Sequence, residues 1–498
     1  MQHAAPVSTD AFPTVLGHPA PLWMPFMTEF WERFAFYGMR WALTLYIVAQ
    51  FYGGSGTGEA PANRIYGAYL ALVYAAGLFG GYAADRRIGH QRAILLGAVI
   101  MACGLCTLVL PDIDGFLSGL ALVIVGNGLF KPNISAIVGR LYARDDGRRD
   151  AGFTIFYMGI NCGALVSPLV TGWLASTLTD TPLVQNYRAV FIASAIGMLL
   201  SFVWFWFGRR SLQDIGSESG SAPWRRNLVF VVAAAALAAP LVYFMLAKVT
   251  AAALAWLLGA LFVLLAAVLV IEGRREGRVA RDRVVAMLAV FVLNSVFWMF
   301  FDQAGSSFNF LAEKIIDRRF GTWEFPVAWF QSVNSLAVVA LAPPIAALWV
   351  WLGKSGRKPS IPFKFGLGMI ANASAFLLLM FALAHLLDAR EQIPFWTLTM
   401  VYVLQSAGEL CLSPIGLSMV TKLAPARCTG LAMGGWFLSV ANGDNLSGIF
   451  AAAVSGSTGM TSASALSGYT LGFWTLLVTG VVLFTATPAI NRLMHGVR

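Results

Sequence analysis

Long apolar runs are the feature of this sequence that most limits its fold. From residue 22 onward, apolar stretches alternate with short polar connections. A helix of roughly 20 apolar residues crosses the hydrocarbon core of a bilayer, and a soluble domain seldom needs runs of that length. Only 12% of the residues are charged, against about one quarter in a soluble domain. We therefore predict an all-α membrane protein with many spans.

The pattern predicts fourteen spans. They lie at roughly 22–50, 64–84, 93–110, 116–142, 152–177, 187–207, 226–247, 251–272, 283–312, 325–352, 362–387, 394–424, 427–455 and 467–491. We divide the chain into a cytoplasmic tail (1–21), a six-helix bundle (22–210), a linker with two extra helices (211–282) and a second six-helix bundle (283–498). The extra pair consists mostly of Ala, Leu and Val, so we expect it at the periphery against lipid.

The basic residues predict the topology. If both termini are cytoplasmic, 24 of the 34 Lys and Arg residues fall in cytoplasmic loops and flanks. This asymmetry is the positive-inside rule of membrane proteins. The net charge of +10 thus indicates orientation in a bacterial-type plasma membrane, and we expect no nucleic-acid partner.

Ionisable residues inside the predicted spans indicate function. They are Glu29, Glu32, Arg33, Arg40, Lys131, Asp302, Glu409 and Asp444. Each such charge near the bilayer centre costs about 2.5–3.5 kcal/mol on insertion scales, so these side chains must face a cavity or each other. One interpretation is a set of structural ion pairs. Buried pairs often contribute little net stability, however, so we favour a solute pathway and predict a transporter.

Helical spacing sorts these charges. Residues three and four apart share a helix face, so Glu29, Arg33, Tyr37 and Arg40 form one stripe, with Glu32 beside it. Two carboxylates next to one guanidinium suit a proton relay. Two interpretations of Asp444 stay open: a functional charge, or a local hydrogen-bonding group at a glycine kink.

Several motifs surround these charges. The first span contains Glu29, Glu32, Arg33, Phe34 and Tyr37, and the fifth contains Phe156, Tyr157, Ile160, Asn161 and Gly163. Other spans contain Lys131-Pro132, Asp302-Gln303 and Gly408-Glu409 with Ser413-Pro414. The loop of residues 81–92 resembles the signature loop of the major facilitator superfamily, whose fold has two six-helix halves around a midplane site. Together the motifs resemble the proton-dependent oligopeptide transporter (POT) family over essentially the whole chain. Its patterns ExxERFxYY and FYxxINxG match the motifs of the first and fifth spans, and the other motifs match further family patterns.

The resemblance implies a proton-coupled symporter that imports di- and tripeptides by alternating access and needs no cofactor or metal. It implies proton coupling by Glu29, Glu32, Arg33 and Asp302. It implies that Arg40 and Lys131 attract the peptide carboxylate and Glu409 the amino group. It assigns further substrate contacts to Tyr37, Tyr74, Asn161, Trp298, Asn334 and Trp436. It implies two gating pairs, Lys131 with Glu409 on the cytoplasmic side and Arg40 with Asp302 on the outer side.

Two positions depart from the family pattern. Phe36 replaces the first Tyr of the motif, so one substrate-facing hydroxyl is missing. Asp302 is one methylene shorter than the Glu of many relatives.

The alternative function is that of a related facilitator for another small anionic or zwitterionic solute, such as nitrate, a modified amino acid or a peptide-like drug. A membrane enzyme has little support, because the sequence offers neither a metal-binding cluster nor a nucleophile with a plausible base. We expect a monomer that works with peptides, protons and the bilayer alone.

Overall fold

The fold was obtained as a computed structural model that describes residues 12–143, 146–179, 185–217, 224–355, 359–425 and 427–497. The predicted tail and linker lie partly outside the described residues, at 1–11 and 218–223.

Long α-helices form nearly the whole of the described chain. They are α1 (Trp23–Phe51), α2 (Glu59–Ala83), α3 (His90–Thr107), α4 (Ile113–Arg140), α5 (Arg149–Thr177), α6 (Tyr187–Gly208), α7 (Trp224–Lys248), α8 (Ala251–Glu276), α9 (Arg278–Phe301), the short α10 (Ser307–Lys314), α11 (Trp329–Lys354), α12 (Ile361–His385), α13 (Phe395–Leu423), α14 (Thr429–Ser455) and α15 (Ser462–Leu493). The described chain also has two antiparallel pairs of two-residue strands: β1 (Thr14–Val15) with β2 (His18–Pro19), and β3 (Arg319–Phe320) with β4 (Trp323–Glu324). Short 3-10 turns lie at Ala20–Leu22, Gly56–Gly58 and Arg209–Leu212, and a π-helical turn lies at Ala84–Ile88.

Each predicted span corresponds to one long helix, and most of the bounds agree within about five residues. Among the described residues, 12 helices are long and apolar enough to cross a membrane. The two others are α1, which carries the predicted charged stripe, and α14, which is rich in Gly, Ser and Asn. The count of fourteen spans therefore stays a prediction.

One predicted span was wrong as a continuous helix. The segment predicted at 283–312 ends as α9 at Phe301, and the chain resumes as α10 at Ser307. The hydroxyl of Thr44 donates to the carbonyl oxygen of Gly305 within this break, at 2.9 Å. A side-chain donor thus satisfies a carbonyl that lies outside both helices.

The chain separates into two compact units. The N-unit comprises Met1–Arg40 and Leu72–Lys248, and the C-unit comprises Trp41–Ala71 and Val249–Arg498. The boundary between the units divides α1 after Arg40 and α2 after Ala71. The domains predicted from the sequence instead include the whole of both helices in the first six-helix bundle. The predicted domain bounds remain a prediction.

Within the N-unit, α3 packs along α4 and α6, and α7 packs against α4. Helices α2 and α4 approach closely at Gly80, where a Cβ atom would lie 1.9 Å from the carbonyl oxygen of Gly128. Only Gly allows this crossing. Of α7, only Asn227, Val231 and Leu246 are buried, as in a helix that borders lipid.

Within the C-unit, α12 packs against α13 and α15, and α14 packs against α8 and α9. The start of α8 is capped by Thr250, whose side chain accepts a hydrogen bond from the amide of Ala253 at 3.1 Å. The start of α15 has a capping box between Thr461 and Ser464.

Candidate substrate and proton site

The charged stripe of α1 forms a buried cluster in the N-unit. Glu29, Glu32 and Arg33 are 1%, 0% and 2% exposed. The guanidinium of Arg33 donates from Nε and Nη2 to the two carboxylate oxygens of Glu32. Its Nε also lies 3.4 Å from Oε1 of Glu29. The helical spacing that placed these groups together in the sequence is confirmed.

The two carboxylates are held unequally. Glu32 accepts a further hydrogen bond from Nδ2 of Asn127 on α4, at 3.2 Å. The second oxygen of Glu29, Oε2, is buried and has no hydrogen-bond partner within the part of the chain that the structure describes. With both carboxylates ionised, these three side chains carry two negative charges and one positive charge, and the ammonium group of Lys131 lies close enough to act on them. A proton on Glu29 would neutralise this cluster, at the oxygen that the protein leaves unsatisfied.

Asn127 also belongs to this cluster, although the sequence analysis assigns it no role. It lies in the segment Gly126-Asn127-Gly128 of α4, where the glycines favour close helix packing. A polar amide between glycines inside a predicted span was the available signal, because a buried amide needs a partner. Which partner it binds depends on how α1 and α4 are paired.

Helix α5 is placed against this cluster by its motif glycines. A Cβ atom at Gly163 would lie 2.4 Å from the carbonyl oxygen of Phe30 and 3.0 Å from Cβ of Arg33. The same helix carries Asn161, whose Nδ2 donates to the carbonyl oxygen of Tyr157 at 2.9 Å. The motif FYxxINxG therefore has a packing function as well as a polar group.

The remaining predicted cations of the N-unit are half-buried. The Nζ atom of Lys131 lies 5.5 Å from the ring centre of Tyr74, and Cζ of Arg40 lies 5.7 Å from the ring centre of Tyr37. An aromatic ring attracts a cation through its quadrupole and leaves the net positive charge in place. These ring contacts therefore do not remove the positive charge of Lys131 or of Arg40.

In the C-unit, Glu409 on α13 meets Asn334 on α11. Nδ2 of Asn334 lies 3.3 Å from Oε2 of Glu409 and 2.9 Å from Oγ of Ser406. The structure thus unites two predicted substrate residues and adds Ser406, which the sequence did not single out. An amide donor next to a carboxylate orients it and leaves its charge intact.

The two predicted tryptophans also lie in the C-unit. Nε1 of Trp298 donates to Oδ1 of Asn294 at 3.1 Å. The ring of Trp436 is buried and packs directly on Gly416, where a Cβ atom would lie 2.0 Å from it. Both rings are therefore held in fixed positions, and their contact with a solute stays a prediction.

Asp302 lies at the break between α9 and α10 and is buried. The hydroxyl of Ser447 on α14 donates to its carbonyl oxygen at 3.0 Å and accepts from Nε2 of Gln303 at 2.9 Å. A buried carboxylate at an interrupted helix is a position where a change of charge can move backbone. Asp444 is fully buried on α14, and its role stays open.

The C-unit contains a further buried carboxylate that the sequence did not single out. Glu59 at the start of α2 is 1% exposed, accepts from Nζ of Lys314 and accepts from the amide of Met460 at 2.8 Å. It lies before the predicted span at 64–84, so it was not counted among the charges inside the membrane. Its partners come from distant parts of the chain, and no local pattern indicates them.

The chain is similar to known proteins over most of its length. A model of the POT family matches residues 91–466. The chain belongs to the POT family. It is 35% identical over 458 residues to the peptide transporter YePEPT of Yersinia enterocolitica, with 88% of each chain covered. It is 33% identical over 447 residues to a di-/tripeptide transporter of Lactococcus lactis, with 86% of this chain and 88% of the relative covered.

Solved structures of POT transporters have the same fold. One, a peptide transporter in complex with sulfate, is 33% identical, covers 98% of this chain and 99% of its own, and superposes with a TM-score of 0.83. Another, in complex with 5-aminolevulinic acid, is 30% identical, covers 97% and 100%, and gives 0.82. The predicted fold class, an all-α multi-pass membrane protein of the major facilitator type, is confirmed. POT proteins are a family of transporters.

Proposed function

We propose that this POT protein imports di- and tripeptides into the cytoplasm by proton-coupled symport. The observation that carries the proposal is the buried cluster of Glu29, Glu32 and Arg33, in which one oxygen of Glu29 lacks a hydrogen-bond partner among the described residues. Such a cluster has a defined place for one proton inside a membrane. The relatives named as peptide transporters support the choice of solute.

The half-buried charges suit a zwitterionic peptide. Arg40 and Lys131 supply positive charge in the N-unit, and Glu409 supplies negative charge in the C-unit. A peptide carries a carboxylate at one end and an ammonium group at the other, so these charges match its termini. Contacts directed at termini and backbone leave the side chains weakly selected, and broad peptide specificity follows.

Coupling in this proposal uses two gates. Lys131 would pair with Glu409 to close the cytoplasmic side, and Arg40 with Asp302 to close the outer side. Protonation of Asp302 would release Arg40, and protonation of Glu29 would change the charge beside Lys131. Tyr37, Tyr74, Asn161 and Asn334 would donate hydrogen bonds to the peptide, and Trp298 and Trp436 would line its side-chain pockets.

The setting that we propose is a bacterial-type plasma membrane with both termini on the cytoplasmic side, which agrees with the placement of Lys and Arg. The protein acts as a monomer, uses the proton gradient without a cofactor, and moves peptides without hydrolysing them. Recovery of intact peptide after uptake tests the last point, and its hydrolysis would indicate an enzyme.

Uptake into liposomes tests the function. Purified protein in liposomes is expected to accumulate labelled dialanine under an inward proton gradient and to stop when a protonophore is added. Uptake that is unaffected by the protonophore would refute proton coupling.

The double variant Glu29→Gln/Glu32→Gln tests the cluster. It is expected to lose gradient-driven uptake while it retains counterflow exchange, because exchange needs no net proton movement. Equal loss of both activities would assign these residues to folding or binding.

A second candidate is transport of a non-peptide zwitterion. A solved POT structure holds 5-aminolevulinic acid, which has a carboxylate and an amine without a peptide bond. Competition between labelled dialanine and unlabelled candidates, nitrate and modified amino acids included, separates the two. A non-peptide solute that competes more strongly than every peptide would favour this candidate.

A further inference from the structure

At one end of the N-unit, guanidinium groups gather on two aromatic rings of α7. Cζ of Arg87 lies 4.6 Å from the ring centre of Phe230. Cζ of Arg92 and Cζ of Arg225 lie 5.2 and 5.6 Å from the ring centre of Trp224. We call these five residues the Arg–Trp cluster. Arg87 and Arg92 come from the α2–α3 turn and the start of α3, so the fold brings together charges that are distant in sequence.

Among the described residues, no acid neutralises the positive charges of the cluster. Arg92 donates hydrogen bonds to the carbonyl oxygens of Ile88 and Ser217, at 3.1 and 3.4 Å. Within the described parts of the chain, Arg87, Arg92 and Arg225 have no carboxylate within 4.0 Å. The acid nearest to Arg87 in the sequence is Asp85, and its Oδ1 lies 3.3 Å from Nε2 of His90.

Several basic groups elsewhere in the described chain are paired with an acid. Arg148 lies 3.0 Å from a carboxylate oxygen of Asp146, and Arg275 lies 2.5 Å from one of Glu272. Guanidinium groups bind phosphate and carboxylate strongly through paired N–H donors. Three such groups, with no acid beside them among the described residues, therefore leave a site with the charge and donors for an external anion.

The cluster lies at the border between a polar and an apolar surface. Trp224 and Phe230 are 44% and 55% exposed, although both are large apolar groups. The inner side of α7 is anchored by Val231, which packs in a buried cluster with Ile88 and Leu129. The outward side continues along the helix as exposed apolar residues: Val229, Val232, Leu237 and Leu241. Tryptophan at the end of a membrane helix marks the headgroup level of the bilayer.

We propose that the Arg–Trp cluster binds the headgroup of an anionic phospholipid. The phosphate would meet the guanidinium groups of Arg87, Arg92 and Arg225, and an acyl chain would lie along the exposed apolar face of α7. Charge complementarity selects an anion. The adjoining apolar face selects a lipid over a free phosphate, because inorganic phosphate gains nothing from apolar surface.

The bound lipid gives α7 a role that does not depend on the transported solute. The helix has few buried residues of its own, and its start contacts the α2–α3 turn through Arg87 and Arg92. A lipid held between them would fix α7 against that turn.

Native mass spectrometry of the full-length protein tests the site. Purified protein is incubated with equal amounts of phosphatidylglycerol and phosphatidylcholine of the same acyl chains, and the bound lipids are counted. The wild type is expected to prefer phosphatidylglycerol about tenfold or more, because each basic group near the lipid surface contributes a several-fold factor. The variant Arg87→Gln/Arg92→Gln/Arg225→Gln is expected to lose most of this preference.

The α8–α9 turn offers a matched control. The variant Arg274→Gln/Arg275→Gln/Arg278→Gln removes the same charge from a turn that also carries Glu272 and Glu276 and is expected to keep the preference. A triple cluster variant that still prefers phosphatidylglycerol, or a control variant that loses the preference equally, would overturn the proposal.

Two further measurements separate the lipid site from misfolding of the variant and from a site for free anions. If the triple variant fails to fold, Arg87→Gln/Arg225→Gln replaces it, because both of these side chains are exposed. That double variant is expected to show an intermediate preference, and an unchanged one would count against the site. Excess inorganic phosphate is expected to leave the lipid bound, whereas displacement by phosphate would show a free-anion site and refute the lipid.

Discussion

Single replacements of Glu29 and Glu32 separate the roles of two carboxylates that lie on the same turn of α1. In Glu29→Gln, the pair of Glu32 with Arg33 keeps its two hydrogen bonds and the donor from Asn127. The variant also removes one of the two negative charges of the cluster. We expect the free energy of unfolding to change by less than about 1 kcal/mol, because the lost ion pair has its nitrogen and oxygen 3.4 Å apart.

Glu32→Gln has a larger structural effect. It removes a carboxylate that accepts three hydrogen bonds and leaves Arg33 with Glu29 alone. Breaking a buried, hydrogen-bonded ion pair by removing one partner costs about 3–5 kcal/mol. We expect the lower part of that range, because the amide oxygen of Gln still accepts one hydrogen bond and Glu29 still balances the guanidinium.

Unfolding in mixed micelles gives the two free energies, and uptake in liposomes gives the coupling. Glu29→Gln is expected to fold like the wild type, to lose gradient-driven uptake of labelled dialanine and to keep counterflow. If Glu29→Gln loses as much stability as Glu32→Gln, or if it still accumulates dialanine against a gradient, the assignment of the proton to Glu29 is refuted.

Helix packing, a buried carboxylate and a loop carboxylate lead to three other predictions. Gly163→Ala is expected to lower the free energy of unfolding by about 1–3 kcal/mol, because its Cβ would overlap a carbonyl of α1. Gly77→Ala is the control, since a Cβ added there meets no neighbouring atom within 4 Å, and its melting temperature should be unchanged or higher. Equal melting temperatures of the two variants would contradict the packing argument. Glu59→Gln is expected to lose about 1–3 kcal/mol, because a lysine and a backbone amide lose a charged acceptor; unchanged thermal melting would contradict this. Hydrogen bonds from the side chain and backbone of Arg148 hold the pKa of Asp146 below its ordinary value, so the loop contact is present above about pH 4 and lost as the pH falls through the lowered pKa. After correction for intrinsic rates, amide hydrogen exchange of this loop should therefore become faster in acid in the wild type. In Asp146→Asn, which has no carboxylate to protonate, it should not depend on pH. Equal acid sensitivity of the two proteins would refute this prediction.

The unpartnered oxygen of Glu29 shows what the sequence leaves undecided. Spacing alone placed Glu29, Glu32 and Arg33 on one side of a helix, and that grouping is confirmed. Spacing treated the two acids alike, however. Only the packing of α4 against α1, which brings Asn127 to Glu32 and no donor to Oε2 of Glu29 within the described chain, makes them different.

The break after α9 was missed for a related reason. The segment from 283 to 312 is apolar enough to be read as one helix, since hydropathy records composition and not hydrogen bonding. The helix ends at Phe301 because tertiary partners, the hydroxyls of Thr44 and Ser447, satisfy carbonyl groups that a continuous helix would bind itself. No pattern near residue 302 shows those partners.

The sequence by itself determined the class of protein, the approximate extent of its helices and the family to which it belongs. The class and the helices depend on the free energy of placing charged groups and backbone in lipid, which is a property of each segment by itself. The family is shown by motifs of residues that are close together in the sequence. Only the tertiary structure decided how each of these charges is partnered: Glu32 by Asn127, Glu409 by Asn334, and Arg87, Arg92 and Arg225 by aromatic rings without an acid among the described residues. Partnering is a property of distance in space, and helices that are far apart in the chain supply it.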